Sequence, residues 1–77
     1  SIEEEITRLK SHIVQFKELL QSESIKKAGK RLDFIIQEMN REVNTIGSKS
    51  NCLEITNLVI ELKTELEDVR EQVQNIE

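Results

Sequence analysis

Apolar residues recur at alternating steps of four and three along three separate segments, and this spacing constrains the fold more than any other feature. The positions are Ile2, Ile6, Leu9, Ile13, Phe16 and Leu20, then Leu32, Ile36, Met39, Val43 and Ile46, then Ile55, Val59, Leu62, Leu66, Val69, Val73 and Ile76. On an α-helix this spacing forms one narrow stripe, the heptad pattern of helices packed side by side. We therefore predict an all-α fold of three amphipathic helices with coiled-coil-like packing.

Polar stretches separate the three segments and set their expected limits. Residues 21–24 and Gly29 separate the first apolar segment from the second, and residues 47–51 separate the second from the third. Gly47 is expected to end a helix in the left-handed conformation, and Asn51 with Glu54 resembles a capping pair that opens the next one. We predict helices over about 2–20, 30–46 and 52–76, the third being the longest. They form one domain over 1–77, arranged as a helical hairpin or bundle.

The composition excludes several other classes of protein. Two glycines and no proline argue against a β-sandwich or barrel and against glycine-rich phosphate-binding folds. No apolar run approaches the roughly 20 residues of a membrane span. One cysteine, Cys52, fits a reducing cytosol and makes no internal disulfide. Apolar residues are only 36% of the chain, so the helices are expected to need partners to complete a core.

Charge is distributed unevenly along the chain. Residues 51–77 contain seven acids and two bases, whereas 26–31 contain four bases and no acid. Lys30 and Arg31 belong to this basic cluster, which lies at the predicted start of helix two and suits a phosphate. A solvated basic loop is an equally good interpretation. The cluster itself has no aromatic residue, so base stacking is not expected there.

The polar side of helix two is rich in amides instead of the usual Glu and Lys. It carries Gln37, Asn40, Arg41, Asn44 and Thr45, and positions 37, 41, 44 and 48 share one face. Amides donate and accept hydrogen bonds, which suits either a sugar–phosphate backbone or a polar contact between helices. Both interpretations remain open.

Two carboxylates on the same helix are candidates for metal binding. Glu38 and Glu42 lie one turn apart, and like charges at that spacing favour a cation between them. Mg²⁺ or Mn²⁺ would suit their oxygens and would activate water against a phosphodiester. Interhelical ion pairs are the commoner explanation for such carboxylates.

His12 and Cys52 complete the reactive side chains. His12, the only histidine, lies beside the apolar stripe and is a candidate for proton transfer near neutral pH, although packing is the commoner role. Cys52 has no evident base partner and is expected to be inert.

Three separated motifs resemble the C-terminal domain of the bacterial YicC-like family. They are Arg8-Leu9-Lys10-Ser11-His12, then residues 29–34, 37–42, 44–45 and 47–50, and finally the ending Arg70-Glu71-Gln72-Val73-Gln74-Asn75-Ile76-Glu77. The resemblance implies a cytoplasmic, oligomeric, divalent-metal-dependent endoribonuclease. It also implies that this chain is the C-terminal part of a longer protein. The family's polar motif falls on Gln37, Glu38, Asn40, Arg41, Glu42, Asn44, Ser48 and Lys49.

The leading hypothesis is therefore the helical domain of an enzyme that cleaves RNA. Lys30, Arg31, Gln37, Asn40, Arg41, Asn44, Ser48 and Lys49 would contact RNA or its phosphates. Glu38 and Glu42 would bind metal or activate water, and His12 would transfer a proton. The alternatives are a helical module for oligomerisation or protein interaction, with partners that include the rest of the protein, and an RNA-binding module without chemistry.

Overall fold

The computed structural model describes residues 1–76 as three α-helices. Helix α1 spans Glu3–Ser22, α2 spans Ile25–Lys49 and α3 spans Leu53–Gln74. No strand occurs in this described part of the chain, so the all-α prediction is confirmed. Glu77, the last residue of the C-terminal motif, lies outside the described residues.

The start of α2 differs from the prediction. The helix begins at Ile25 and not near residue 30, because Ser24 caps it: the Ser24 side chain accepts a hydrogen bond from the Lys27 backbone N–H at 3.2 Å. Gly29 lies inside the helix instead of breaking it. The basic cluster therefore occupies the first two turns of α2.

The predicted end of α2 and the predicted cap of α3 are also wrong. No glycine has a positive φ within residues 1–76, and Gly47 lies inside α2, which continues to Lys49. Residue 52, not Asn51, precedes α3, and its side chain makes no capping hydrogen bond. Instead the Cys52 backbone N–H donates to Ser50 Oγ at 3.2 Å. As a result α2, with 25 residues, is the longest helix.

Gly47 has a packing role that its sequence position does not reveal. A Cβ atom at this position would lie 3.2 Å from Val59 Cγ1 of α3. Such a distance is tighter than ordinary van der Waals contact, which begins near 3.5 Å between carbons. Because Gly47 has no side chain, α2 and α3 can pack closely together near the 50–52 connection that joins them.

Helix α2 is the centre of the domain. It packs against both α1 and α3, whereas those two helices make no close backbone contact with each other in the described chain. The fully buried side chains Leu32, Ile36 and Val43 all belong to α2. Leu9, Phe16 and Leu19 of α1 and Leu66, Val69 and Val73 of α3 cover them. No helix among the described residues is long and apolar enough to cross a membrane.

Candidate functional site

Within residues 1–76, three ion pairs join α2 to α1 and to Glu23, the residue that follows α1. Lys49 contacts Glu5, Arg8 contacts Glu42, and Arg31 contacts Glu23. From one pair to the next, the residue number rises from 5 to 8 to 23 on the α1 side and falls from 49 to 42 to 31 on α2. The two helices therefore run antiparallel. This register determines which predicted site residues lie together.

The N-terminal end of α1 carries two residues that the sequence analysis did not single out, Glu5 and Arg8. Glu5 is 3% exposed, and its Oε2 accepts from Lys49 Nζ at 2.9 Å and from Arg8 Nη2 at 3.3 Å. The hydrogen bond from Lys49 is the main cause that lowers the pKa of Glu5, against a smaller opposing effect of burial. Lys49, predicted to hold phosphate, therefore also neutralises a buried carboxylate.

Arg8 connects the N-terminal end of α1 to a predicted catalytic residue. Its Nε donates to Glu42 Oε2 at 2.9 Å, and this hydrogen bond is the main cause that raises the pKa of Arg8. Glu42 is buried at 6% exposure, whereas half of the Arg8 side chain is exposed. The carboxylate is thus fixed in one orientation by a guanidinium that remains accessible from solvent.

The antiparallel register brings the three predicted catalytic residues to one stretch of the interface. Because Arg8 contacts Glu42, His12, one turn later on α1, lies opposite the turn of α2 that carries Glu38. His12 is half-buried, and its Nδ1 has no hydrogen-bond partner among residues 1–76. Glu38 is half-buried and lies 3.6 Å from the Arg41 guanidinium. We refer to Glu5, Arg8, His12, Glu38, Glu42 and Lys49 as the α1–α2 charged seam.

The predicted metal ligands are Glu38 and Glu42, one turn apart on α2. No group of three or more His, Cys, Asp or Glu side chains suited to a metal occurs within residues 1–76. Glu38 and Glu42 each have an arginine beside them. Two carboxylates nevertheless match what Mg²⁺ commonly takes from a protein, since its remaining ligands are usually water and substrate phosphates.

The side of α2 opposite its core is a continuous exposed ridge. Its members recur at steps of four and three, and we call them the outer ridge: Lys30, Phe34, Gln37, Arg41, Asn44 and Ser48. Five of the eight residues predicted to contact RNA therefore form one accessible strip. Asn40 is half-buried beside the ridge, in a groove towards α3 that Asn44 and Lys63 also line. Arg31 and Lys49 point instead to their acidic partners on the α1 side.

Phe34 places an exposed aromatic ring next to the basic cluster, a feature that the sequence analysis did not single out. Its side chain is 61% exposed, one turn after Lys30 and beside Arg31 in an open crevice. The signal was present in the sequence, because Phe34 shares the helical face of Lys30, Gln37 and Arg41.

Comparison with known proteins gives this arrangement a family. The whole chain, residues 1–77, matches the family model described as "Endoribonuclease YicC-like, C-terminal". The chain therefore belongs to this family of endoribonuclease C-terminal domains, and the predicted resemblance is confirmed.

Two curated relatives share the sequence throughout the chain. The probable endoribonuclease YicC of Clostridioides difficile (strain 630) is 62% identical over 78 residues, which cover 100% of this chain and 26% of the relative. The probable endoribonuclease YicC of Haemophilus influenzae (strain ATCC 51907 / DSM 11121 / KW20 / Rd) is 42% identical over 76 residues, covering 99% of this chain and 26% of the relative. The chain thus spans about a quarter of the length of these relatives.

Proposed function

We propose that this chain is the C-terminal helical domain of an endoribonuclease and that it supplies catalytic groups from the α1–α2 charged seam. The observation that carries this proposal is the helix register, which sets His12 opposite the Glu38–Glu42 turn. Membership of an endoribonuclease family supports RNA as the substrate. A soluble protein acting on cellular RNA would work in the cytoplasm, which agrees with its single unpaired cysteine.

The seam contains the groups that phosphodiester cleavage requires. A carboxylate or imidazole accepts the proton of the attacking hydroxyl, and a protonated group returns one to the leaving oxygen. Glu38 and His12 are the candidates for these two proton transfers. Arg8 and Arg41 stand beside Glu42 and Glu38 and would stabilise charge that develops on the phosphate.

A divalent cation is a further element of this proposal. Glu38 and Glu42 would supply two oxygen ligands to Mg²⁺ or Mn²⁺, and the RNA phosphate and water would supply the rest. The cation would activate water or stabilise the leaving oxygen. Binding would compete with the guanidinium groups of Arg8 and Arg41 for the same carboxylates.

The outer ridge would hold the RNA alongside this seam. Lys30 and Arg41 offer cations to phosphates, Gln37 and Asn44 offer amides, and Phe34 offers a ring on which an unpaired base can stack. Arg41 belongs to the ridge and also lies next to Glu38. A strand bound along the ridge would therefore pass within reach of the proposed catalytic groups.

Cleavage by the protein that carries this domain tests the catalytic assignment. The double variant Glu38→Gln/Glu42→Gln is expected to lose metal-stimulated cleavage of a single-stranded RNA by at least about 100-fold, the usual contribution of acid–base groups. Glu54→Gln/Glu61→Gln removes two exposed carboxylates of α3 outside the seam and should cleave normally. Circular dichroism checks that all variants remain helical. Undiminished cleavage by a folded Glu38→Gln/Glu42→Gln variant would remove these residues from the chemistry.

RNA binding by the same protein tests the ridge separately. Phe34→Ala is expected to weaken binding roughly tenfold, since stacking on one base contributes about 1–3 kcal/mol. Phe34→Tyr retains an aromatic ring and should bind like the parent protein. Equal affinities for the alanine and tyrosine variants would contradict a stacking role.

A helical interaction module without its own chemistry is the second candidate function. Among residues 1–76, ten large apolar side chains are exposed, including Leu53, Leu58 and Ile60 of α3. Leu58, Ile60 and Leu62 line one open groove on α3, and a contiguous apolar surface favours contact with a partner. Normal cleavage by the seam variant, together with loss of assembly on disrupting that surface, would favour this function.

A further inference from the structure

An open crevice of about 490 Å³ lies between α1 and α2, towards the end of their interface that is remote from Lys49. Its apolar lining consists of Leu19 and Ile35, which are half-buried and pack against the core. On the α2 side it is also lined by the exposed ring of Phe34 and by Arg31. The volume falls within the range of about 300–1,000 Å³ that small-ligand sites occupy. A flat ring next to apolar surface suits a planar ligand such as a nucleobase.

The α1 side of the crevice is polar. It is lined by Gln15, Glu18 and Ser22, which continue a stripe that begins at Ser11 and recurs at steps of four, three and four. All four residues are exposed, and none of them is a base. Exposed polar residues are ordinary on a helix. These differ because three of them share a crevice with an exposed aromatic ring of the neighbouring helix.

Most of the hydrogen-bonding capacity left on the α1 side is for accepting. The Ser22 hydroxyl donates to Leu19 O, and Gln15 Nε2 donates to Ser11 Oγ, both at 3.3 Å. The Glu18 carboxylate has no hydrogen bond or ion pair with a side chain within residues 1–76. An ionised carboxylate only accepts, and its two oxygens can take two parallel N–H donors at once. The ligand that complements Glu18 therefore carries two adjacent N–H donors.

Guanine is the nucleobase that presents such a pair of donors. Its Watson–Crick edge carries N1–H next to the exocyclic N2 amino group. Uracil has a single N–H on that edge, and adenine and cytosine each have one amino group beside an acceptor nitrogen. Proteins commonly stack an unpaired RNA base on an aromatic ring and contact this edge with polar side chains. Phe34 and Glu18 line the crevice from opposite helices, as that mode of recognition requires.

The crevice adjoins the α1–α2 charged seam. Gln15 follows His12 by about one turn on α1, and Phe34 precedes Glu38 by one turn on α2. One helical turn is about 5.4 Å long. Because the two helices are antiparallel, both steps lead in the same direction along the interface. A base held in the crevice therefore lies next to the turn that carries the proposed catalytic groups.

We propose that this crevice binds one unpaired guanine of the RNA, with the base stacked on Phe34 and with Glu18 accepting hydrogen bonds from N1–H and the N2 amino group. This assignment rests on the RNA-cleaving function proposed above and adds base specificity to it. Glu18 is then a specificity-determining residue. The place of guanine in the RNA determines which phosphodiester bond reaches His12 and Glu38.

Fluorescence anisotropy with labelled RNA tests the base preference. The protein that carries this domain is titrated in EDTA, so that binding is measured without metal-stimulated cleavage. The oligonucleotide UUUGUUU is expected to bind at least about tenfold more tightly than UUUAUUU or UUUUUUU, the discrimination typical of a bidentate contact to a base. Inosine in place of guanine lacks the amino group and should lose most of that preference.

The outcomes of this titration separate the new site from the proposed function. Equal affinities for the guanine, adenine and uracil oligonucleotides would overturn the guanine site while leaving RNA binding in place. No binding of any oligonucleotide would contradict the proposed function as well. Free 5′-GMP carries the same base without an RNA chain and should compete much more weakly than UUUGUUU. Equal competition would assign the crevice to a free nucleotide and overturn its role in RNA recognition.

Glu18→Gln separates recognition of the base from a structural role. Glutamine offers one donor and one acceptor, the pair that N7 and N6 of adenine match, so this variant is expected to prefer UUUAUUU over UUUGUUU. Glu54→Gln removes an exposed carboxylate of α3 outside the crevice and should keep the guanine preference. Glu18 is exposed, so both variants should unfold at the Tm of the parent. A folded Glu18→Gln variant that still prefers guanine would overturn the role of Glu18.

Mapping of cleavage positions tests the link between the crevice and the seam. In a single-stranded RNA of mixed sequence, the parent protein should cut at a constant offset from guanine. Glu18→Gln should move the cuts to the same offset from adenine, whereas Glu54→Gln should not move them. Cuts that do not follow guanine in the parent would overturn the inference and leave the catalytic assignment of Glu38 and Glu42 untouched.

Discussion

Arg8 and Glu42, 34 residues apart in the chain, are joined by a hydrogen bond of 2.9 Å between Arg8 Nε and Glu42 Oε2. The carboxylate is buried and the guanidinium is half-exposed. The same guanidinium contacts Glu5 at 3.3 Å, so one arginine connects two buried acids on two helices. This arrangement both fixes the α1–α2 register and orients a candidate catalytic residue.

Removal of the Arg8 guanidinium is expected to destabilise the domain. Arg8→Met keeps the apolar stem but leaves the Glu42 carboxylate buried without its donor, which is unfavourable. We expect thermal unfolding by circular dichroism to show a Tm lower by about 5 °C or more. Arg41→Met removes an exposed cation paired with Glu38 at 3.6 Å and should change the Tm little. Equal Tm values for the two variants would show that the buried pair does not stabilise the fold.

Acid should weaken the contact between Glu5 and Lys49. The pKa of Glu5 is lowered in the folded chain, chiefly by the Lys49 hydrogen bond, so the folded state binds fewer protons than the unfolded state. The resulting stabilisation is present above pH about 4.3, the ordinary value for Glu, and is lost as the pH falls towards the lowered pKa. Urea unfolding between about pH 3 and 7 should therefore show a shallower acid decline in Glu5→Gln than in the parent. Glu4→Gln, an exposed neighbour, should follow the parent curve, and a Glu5→Gln curve parallel to it would contradict this linkage.

The core on α2 should tolerate truncation poorly. Leu32 is fully buried, and Leu32→Ala is expected to lower the free energy of unfolding by about 2–5 kcal/mol, enough to unfold much of a small domain. Leu53, 73% exposed, provides the matched control, and Leu53→Ala should stay within about 0.5 kcal/mol of the parent. Denaturant titration measures both changes. Similar losses for the two leucines would mean that α2 is not the centre of the core.

The two glycines of α2 should respond differently to alanine. No heavy atom lies within 4 Å of a Cβ at Gly29, so Gly29→Ala should gain about 1 kcal/mol from helix propensity alone. A Cβ at Gly47 would approach Val59 Cγ1 to 3.2 Å, so part of the same gain is lost to displacement of α3. The free energies of unfolding should rank Gly29→Ala above Gly47→Ala. The reverse order would show that the α2–α3 contact adapts without cost.

Sequence periodicity predicted the helices well but misplaced several of their ends. The four–three spacing of apolar residues identified the faces of α1, α2 and α3, because burial of one stripe dominates helix packing. The start of α2 was misplaced because glycine was interpreted as a breaker at Gly29, where the Ser24 cap and tertiary packing maintain the helix. Gly47 was misinterpreted for a related reason, since its small size serves the approach of Val59 and not a turn.

The candidate site residues could be proposed from the sequence, but their arrangement in space could not. His12, Glu38 and Glu42 were singled out by residue type, whereas their common position on the α1–α2 interface depends on pairs such as Arg8–Glu42 that are remote in sequence. The same distance in sequence concealed the partners of Glu5 and Lys49. Periodicity gives the face of each helix, and the register between helices comes from tertiary contacts that a single sequence does not display.

A double-mutant cycle on His12 and Glu38 tests the central claim most directly. The claim is that both side chains act on the same bond from opposite sides of the α1–α2 interface. Single-turnover cleavage of a defined RNA is measured for the protein carrying His12→Gln, Glu38→Gln or both substitutions. Residues that act as a unit give non-additive losses, so the doubly substituted protein should cleave no more slowly than the slower single variant. Losses that multiply, or unchanged cleavage by either folded single variant, would contradict a shared catalytic site in the α1–α2 charged seam.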